Sequence, residues 1–438
     1  MIDAAAFAEL LVAHLPRQRW FAGRERVQVD VRRLELLCEQ PVPLVRVLVG
    51  VAGKPGVYQV VAALRGRDFN ASFLAARPHA VIGEVRAAEG GLVLAYDALV
   101  DPEAAIGLLA RVAPQERVTH ARVIAGEQSN SSVIFDDRLI LKLFRHLSDG
   151  PNPDAEVVRA LQGVGFECVA RLAADWREAE RDYAVVNEYL AGARDGFELA
   201  LESVRMLHRR VSGSAASEEP FMREARGLGF TTGRLHAKLA EAFGACRGDP
   251  AALTADMAAQ LQRVNGVPID RIAAAYRRVA AGMDVGPAIR VHGDYHLGQV
   301  MWRDPRWYVL DFEGEPARPL EERRRASSPL KDVAGMLRSF DYVAAVARRE
   351  RAESADEEFV ALADAWRDRA GQVFLESYFA APGVDGVLPA SPRTRLALLD
   401  AFLLDKAVYE VGYERAHRPD WVEIPQRAIE RLLERRVD

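Results

Sequence analysis

The sequence is poor in cysteine and lacks long apolar runs. Its 438 residues include three cysteines, Cys38, Cys168 and Cys246, with no CxxC pair. Neither a disulfide framework nor a structural zinc site is indicated, and a reducing compartment fits this composition. No stretch approaches the ~18 consecutive apolar residues of a transmembrane helix, and no basic segment precedes the N-terminal apolar residues. We therefore expect a cytoplasmic protein with no membrane partner.

An excess of charge of either sign is also absent. Lys and Arg total 58 against 63 Asp and Glu, a formal net charge of -5. This balance removes the general electrostatic attraction to nucleic acid or to anionic lipid, so small molecules are the expected partners. The length predicts two or three compact units, because single cores rarely exceed ~250 to 300 residues.

What is present is a change of pattern along the chain. Alternating or apolar runs predict strands over 27–37, 44–51 and 57–63 and define a separate N-terminal module at 1–90. Strands around a polar loop follow at 91–190, and the remainder, 191–438, reads as helical apart from the loop-like segment 211–220. The predicted helices beyond 220 are 230–245, 249–264, 271–283, 330–349, 355–379, 391–415 and 424–434.

The segment 291–315 carries the strongest chemical signal. Asp294 follows His-Gly, Gln299 lies five residues on, and Asp311 ends an apolar run that closes a predicted hairpin. Phosphoryl transfer needs such a set, since one carboxylate accepts the proton of the attacking hydroxyl while another carboxylate and an amide oxygen hold magnesium. The two histidines of the segment are expected to shape the loop, because magnesium prefers oxygen ligands. An acidic surface loop is the competing interpretation.

Two upstream features bear on the same chemistry. The polar loop 126–132 lies between two predicted strands, where its backbone N–H groups and hydroxyls could cover phosphates or simply form an exposed turn. Lys142 lies within the apolar strand 139–144 and precedes a helix that carries Glu156. It is either an exposed edge residue or the buried partner of Glu156, with its ammonium placed on the α and β phosphates.

Several segments together resemble one family. They are RQRWFAGRER at 17–26, GEQSNSSVIF at 126–135, RLILKLFRHL at 138–147, GPNPDAEV at 150–157, HGDYHLGQV at 292–300, DFEGEPARPLEERR at 311–324, SPLKDVAGMLRSF at 328–340 and DKAVYEVGYERAHRPDW at 405–421. The chain resembles the kinase-like fold of aminoglycoside phosphotransferases and choline kinases. It is most similar to actinobacterial maltokinases and their glucosamine kinase relatives, over nearly its whole length.

The resemblance implies an α+β, bilobal, eukaryotic-protein-kinase-like fold with an N-terminal cap, and ATP with Mg²⁺ as cofactors. It makes Asp294 the catalytic base, Gln299 and Asp311 the magnesium ligands, and Lys142 the phosphate lysine held by Glu156. The nucleotide would further be bound by a phosphate loop and a hinge, comprising Gln128, Ser129, Asn130, Ser131, Glu188, Tyr189 and Leu190.

The acceptor is expected between the catalytic loop and the C-terminal helices. Asp294, His296, Glu313, Glu410 and Trp421 are the predicted sugar contacts. An acidic pocket favours glucosamine, giving glucosamine 6-phosphate, because a carboxylate binds an ammonium through a charge-assisted hydrogen bond. Maltose, giving maltose 1-phosphate, and aminoglycosides are alternative acceptors. A catalytically inactive sugar-sensing pseudokinase is the alternative of another class, and a monomer or small homo-oligomer is expected in each case.

Overall fold

The computed structural model describes residues 2–21, 27–54, 56–66, 68–70, 72–87, 90–124, 130–147, 149–210, 221–280, 283–315, 318–351 and 357–434. It divides into two compact units, one of Met1–Glu156 with Ala170–Ala191 and one of Val157–Val169 with Gly192–Asp438. The first two predicted segments, 1–90 and 91–190, thus fall almost entirely in one unit. Their boundaries, and that of 191–438, stay predictions.

The elements up to residue 191 alternate between strands and short helices. They are α1 (Ala4–His14), β1 (Val29–Cys38), β2 (Leu44–Val51), β3 (Val57–Gly66), α2 (Ser72–Ala75), β4 (Val81–Arg86), β5 (Leu92–Asp97), α3 (Pro102–Val112), β6 (Ala121–Val123), β7 (Asn130–Phe135), β8 (Leu139–Phe144), β9 (His146–Leu147), α4 (Pro153–Gly163), β10 (Leu172–Glu178) and β11 (Arg181–Glu188).

The described strands of this first unit form two antiparallel sheets, ordered β1-β2-β3-β5-β4, with β9 on β3, and β10-β11-β8-β7-β6. Gln59 on β3 joins them, because its side-chain amide donates to the carbonyls of Phe144 (2.9 Å) and Tyr183 (3.0 Å). Arg145 and Asp97 add a buried ion pair at 2.6 Å. These bonds explain why the N-terminal module and the following sheet form one compact unit.

In the second sheet, the local sequence accounts for the β7–β8 turn and for the alternation of side chains along β8. Asp136 and Asp137 form the turn between β7 and β8 with φ of 49° and 48°, which is the left-handed pair that a two-residue hairpin requires. Along β8, Leu141 and Leu143 are fully buried, while Lys142 lies on the other face and is only half-buried. The predicted loop 126–132 is shorter than expected, because its last residues, 130–132, already pair with β8; residues 125–129 lie outside the described ranges.

The second unit is mainly helical. Its elements are β12 (Arg194–Asp195), α5 (Gly196–Arg210), α6 (Met222–Phe243), β13 (Ala245–Arg247), α7 (Pro250–Leu261), α8 (Ile269–Ala280), β14 (Pro287–Ile289), β15 (Val300–Arg303), β16 (Arg306–Val309), α9 (Leu320–Arg324), α10 (Leu330–Glu350), α11 (Glu357–Phe379), α12 (Pro392–His417) and α13 (Glu423–Glu434). The predicted segment 211–220 lies outside the described residues.

Close helix packing in this unit depends on small residues. A Cβ at Gly229 on α6 would lie 2.2 Å from the carbonyl oxygen of Phe374 on α11, so the two backbones meet where a side chain has no room. Aromatic side chains fill the space beside this contact, with Phe340 packing edge-on against Trp366 and Phe374. Within the described ranges no helix is both long and apolar enough to cross a membrane.

Burial of His14 in the N-terminal module makes the free energy of unfolding depend on pH. His14 ends α1 and is buried, and this burial lowers its pKa to about 4 from the 6.5 of an exposed histidine. The unfolded chain therefore binds the extra proton first, and stability contributed by neutral His14 is lost as pH falls from 6.5 towards 4. We expect the loss to be about 2 kcal/mol between pH 7.5 and pH 5.

Urea unfolding of the parent and of His14→Gln at both pH values measures the loss of stability that His14 causes. Glutamine does not titrate, so the parent should lose about 2 kcal/mol more than the variant on acidification. An equal loss in the two proteins would contradict the assignment to His14.

Candidate active site

The predicted catalytic loop, residues 290–299, connects β14 to β15 and is held in place through its backbone. The N–H groups of His292 and Gly293 donate to the two carboxylate oxygens of Asp332 on α10, at 2.7 and 2.9 Å. Gly293 has φ of +89°, a left-handed conformation that glycine adopts without strain. The loop is therefore held in one shape by a residue 40 positions away in sequence.

Asp332 is itself fully buried and held by a second layer of contacts. His236 on α6 lies 3.2 Å from one carboxylate oxygen through Nε2, and its Nδ1 lies 2.9 Å from the hydroxyl of Tyr378 on α11. Burial opposes ionisation, but His236, His292 and the N–H of Gly293 more than offset it, so the pKa of Asp332 lies below its usual value. We call Asp332, His236 and Tyr378 the loop clamp.

His292 and His296 use ring nitrogens to shape the loop. His292 Nε2 lies 2.9 Å from the carbonyl oxygen of Leu310, while its Nδ1 accepts from the N–H of Asp294 at 3.3 Å. His296 Nδ1 accepts from the N–H of Gly298 at 3.1 Å. The first bond ties the start of the catalytic loop to the strand end that precedes Asp311.

Gln299 and Asp311 meet at the end of the β15–β16 hairpin. Gln299 Nε2 donates to Asp311 Oδ2 at 3.2 Å, and the backbone N–H of Leu310 donates to the carbonyl of Gln299 at 2.9 Å. Asp311 has φ of 60°, rare for a non-glycine residue and often found where a functional side chain is aimed.

This pair suits a hard cation. One carboxylate and one amide, with the remaining positions open to phosphate and water, match the way proteins hold Mg²⁺. An amide rotation would present the Gln299 oxygen to the ion. No group of three or more His, Cys, Asp or Glu side chains suited to a metal occurs among the described residues.

Asp294 is bonded to a lysine from α12. Lys406 Nζ donates to Asp294 Oδ1 at 3.2 Å and to Glu315 Oε1 at 3.1 Å. Burial raises the pKa of Asp294, but Lys406 and His296 outweigh it, so the pKa lies below its ordinary value. The carboxylate is therefore ionised at neutral pH.

The predicted acceptor residues are only partly brought together. His296 Nε2 lies 3.9 Å from Asp294 Oδ2. Glu410, however, is buried and accepts two bonds from Arg338 on α10, at 2.9 and 2.6 Å, and Trp421 packs against the guanidinium groups of two neighbouring arginines. Neither lines the narrow cavity beside the catalytic loop, whose described lining is Gln260, Gly293, Tyr295, Glu315, Arg318, Lys331, Gly335, Phe402, Asp405, Lys406 and Tyr409.

Glu313, the remaining predicted acceptor residue, follows Asp311 by two positions. Its backbone carbonyl accepts from the guanidinium of Arg323 at 2.9 Å. Glu313 is half-buried, and its role stays a prediction.

The first unit contains the predicted nucleotide residues. Lys142 Nζ lies 3.1 Å from Asp154 Oδ2, and Asp154 is two positions before the predicted partner Glu156. The sequence reasoning missed Asp154 because both acids lie in the first turn of α4. The role of Glu156 stays a prediction.

The remaining nucleotide residues belong to β7 and to the end of β11. Asn130 is buried, and the hydroxyl of Ser131 accepts from Arg145 at 2.9 Å. The N–H of Glu188 donates to the backbone carbonyl of Arg171 at 2.7 Å, and that of Tyr189 donates to the backbone carbonyl of Arg138 at 2.8 Å. Leu190 is buried. Gln128 and Ser129 lie outside the described residues.

Two family models match the chain. Residues 14–101 match the Maltokinase N-terminal cap domain, and residues 120–396 match the Phosphotransferase enzyme family. The chain belongs to the phosphotransferase enzyme family. The resemblance expected from the sequence is thereby confirmed.

Individual members of the family are similar over most of the chain. A glucosamine kinase of Streptacidiphilus jiangxiensis is 32% identical over 73% of this chain and 75% of its own length. A glucosamine kinase of Mycolicibacterium smegmatis is 30% identical over 72% and 79%. A solved glucosamine kinase, in complex with glucosamine, ADP and inorganic phosphate, is similar with a TM-score of 0.70 and 26% identity, covering 99% of this chain and 100% of that one. The kinase-like fold with an N-terminal cap is confirmed.

The role of the loop clamp can be tested by a substitution at Asp332. Asp332→Asn replaces one carboxylate oxygen with an NH2 group, which cannot accept a hydrogen bond, so one buried donor is left unsatisfied. We expect the free energy of unfolding to fall by about 3 kcal/mol and turnover to fall at least about tenfold, because the loop loses its fixed geometry.

Chemical denaturation and steady-state kinetics of the two proteins measure both effects. Asp420→Asn is the matched control, since Asp420 is exposed and should change stability by less than about 0.5 kcal/mol. Full activity in Asp332→Asn would show that the loop does not need its clamp.

Proposed function

We propose that this protein transfers the γ-phosphoryl group of ATP to glucosamine and forms glucosamine 6-phosphate. The observation that carries the proposal is an ionised carboxylate on a clamped loop, Asp294, in a chain similar over its full length to a glucosamine kinase solved with glucosamine and ADP. Two curated glucosamine kinases, at 32% and 30% identity, support the same acceptor.

Asp294 is the proposed catalytic base. Its carboxylate accepts the proton of the 6-hydroxyl as that oxygen forms a bond to the γ-phosphorus, while the bond from the γ-phosphorus to the bridging oxygen breaks and ADP leaves. A depressed pKa keeps Asp294 ready to accept this proton at neutral pH. His296, 3.9 Å from Asp294 Oδ2, is close enough to contact the same acceptor.

Gln299 and Asp311 are the proposed magnesium ligands. Their side chains already meet at 3.2 Å, so little rearrangement separates the observed pair from a two-ligand site. Mg²⁺, when bound, neutralises charge that develops on the transferred phosphoryl group.

The nucleotide-binding residues are proposals within the first unit. Lys142, held by Asp154 at 3.1 Å, supplies a cation for the α and β phosphates, with Glu156 in the same helical turn. The phosphate loop and hinge contribute backbone and hydroxyl groups; they comprise Gln128, Ser129, Asn130, Ser131, Glu188, Tyr189 and Leu190.

The carboxylates predicted to bind the ammonium of glucosamine lie close to cations of the protein itself. Two of the carboxylates expected to bind the ammonium already contact cations of the protein, Asp294 with Lys406 and Glu410 with Arg338. Glu313 also interacts electrostatically with a cation, Arg323. We keep it as the ammonium ligand predicted from the sequence, and the choice of glucosamine depends mainly on the similar proteins. Trp421 lies beside Arg418, with 4.8 Å from the guanidinium to the ring, so we rank its sugar contact below that of Glu313.

Maltose is the second candidate acceptor. The observation in its favour is the match of residues 14–101 to the Maltokinase N-terminal cap domain. Phosphorylation would then take place on the anomeric hydroxyl and give maltose 1-phosphate.

Consumption of ATP should be measured with glucosamine, glucose, maltose and an aminoglycoside, each at equal concentration. We expect turnover with glucosamine at least about tenfold above the others, since a site with polar groups for one acceptor rejects those that leave them unpaired. Turnover of maltose with none of glucosamine would overturn the first assignment in favour of the second.

The assignment of Asp294 has its own test. Asp294→Asn should lower kcat by about 100- to 10,000-fold, the range of general base catalysis, while the affinity for ATP stays within about threefold. Asp304→Asn, in the exposed turn of the adjacent hairpin, should keep the parent kcat. Parent-like turnover in Asp294→Asn would exclude Asp294 as the base, and absence of turnover in the parent would favour the sugar-sensing pseudokinase.

A further inference from the structure

The lysine that contacts the proposed base has no role in the reaction described so far. Lys406 lies in the middle of α12, and its side chain is 18% exposed. Its Nζ bridges Asp294 Oδ1 and Glu315 Oε1 at 3.2 and 3.1 Å. A half-buried lysine between two carboxylates is costly to desolvate, so stability alone does not account for its presence beside the proposed base.

The loop clamp does not fix the side-chain orientation of Asp294, which Lys406 contacts directly. Asp332 fixes the backbone of the catalytic loop at His292 and Gly293, but it does not contact the side chain of Asp294. Lys406 Nζ donates a hydrogen bond to Oδ1 of that side chain. The other oxygen, Oδ2, lies 3.9 Å from His296 Nε2. This hydrogen bond therefore restricts the orientation of the carboxylate and leaves Oδ2 without a bond to Lys406.

Lys406 is itself held by a closed ring of hydrogen bonds. Arg318 donates to the second oxygen of Glu315 at 2.5 Å and to Gln260 Oε1 on α7 at 3.0 Å. Gln260 Nε2 in turn donates to the carboxylate and to the carbonyl of Asp405, both at 2.9 Å. Because Asp405 directly precedes Lys406, the ring returns to α12, and we call it the lysine ring.

The charges around this ring keep Glu315 ionised and Lys406 protonated at neutral pH, whereas burial raises the pKa of Asp405 to about 6. Burial opposes ionisation of Glu315, but Lys406, Lys331 and Arg318 lower its pKa to about 2. Burial also disfavours the ammonium of Lys406, yet its carboxylate neighbours raise its pKa above the ordinary value. Further titratable or charged groups face Asp294 or the ring from the catalytic loop, α10 and α12: His292, His296, Asp405, Tyr409 and Glu410, the last paired with Arg338.

We propose that Lys406 is a positioning residue, which orients the carboxylate of Asp294 for proton acceptance, and that the lysine ring holds Lys406 in place. This inference rests on the proposed role of Asp294 as the base. It differs from the loop clamp, because the clamp acts on the backbone and Lys406 acts on the reacting side chain.

Lys406→Met is the direct test, since methionine keeps most of the length and loses the ammonium. We expect kcat with the best acceptor to fall about 100-fold, the cost of misplacing a reacting group by about 1 Å, while the KM for ATP stays within about threefold. The acid limb of kcat/KM should also move to higher pH, because the cation that lowers the pKa of Asp294 is gone. Lys406→Arg should recover part of the lost kcat.

Lys238→Met is the matched control. Lys238 on α6 pairs with Glu241 one turn along the same helix, and its loss should leave kcat and the pH profile unchanged. A folded Lys406→Met protein with parent-like kcat would overturn the proposal. So would a lower KM for glucosamine at unchanged kcat, which would mean that the ammonium merely occupies the acceptor position.

A second variant covers the case in which Lys406→Met does not fold. Gln260→Leu opens the lysine ring without touching Lys406 or Asp294, and we expect kcat to fall about 3- to 10-fold at an unchanged KM for ATP. Parent-like kcat in this variant would then overturn the proposal. A parent protein inactive on every acceptor would overturn the proposed function as well, whereas an active parent with unaffected variants would overturn only the role of Lys406.

Discussion

The hydrogen bonds from the catalytic loop to Asp332 are the constraint on which the rest of the site depends. Two backbone N–H groups converge on one buried carboxylate, and α6 and α11 reach it through His236 and Tyr378. A charge buried so deeply is tolerable only when it is fully hydrogen-bonded, so these partners must be present together. The helical core and the geometry of Asp294 are therefore coupled through a single residue.

Pairing of buried charges also decides what the acceptor side can bind. Arg338 is fully buried and contacts Glu410 and Asp341, while Lys406 and Arg318 contact Glu315. Carboxylates committed in this way contribute to the structure more than to a ligand. A count of acidic residues near the motif overstates the negative charge available to an ammonium, because it omits cations supplied by distant helices.

Most of the fold and the centre of the site follow from local sequence. The strands Leu44–Val51 and Leu139–Phe144, the Asp136–Asp137 turn and the long helices α10 to α13 are recognisable from apolar periodicity and turn residues. Gln299 and Asp311 are joined by a hairpin, so their contact needs no knowledge of the remaining chain. Asp154 was missed because two acids share one helical turn, and its 3.1 Å contact with Lys142 is visible only in the tertiary structure.

The sequence by itself indicated the phosphotransferase family and most of the elements, and it predicted the groups that we propose to react. Only the tertiary structure decided which residues distant in sequence hold these groups in position. Asp332 lies 40 residues from His292 and Lys406 lies 112 residues from Asp294, and no periodicity or spacing encodes such pairs. They form because burial leaves polar groups without water, and each must then find its partner wherever the packing of the helices brings one within hydrogen-bonding distance.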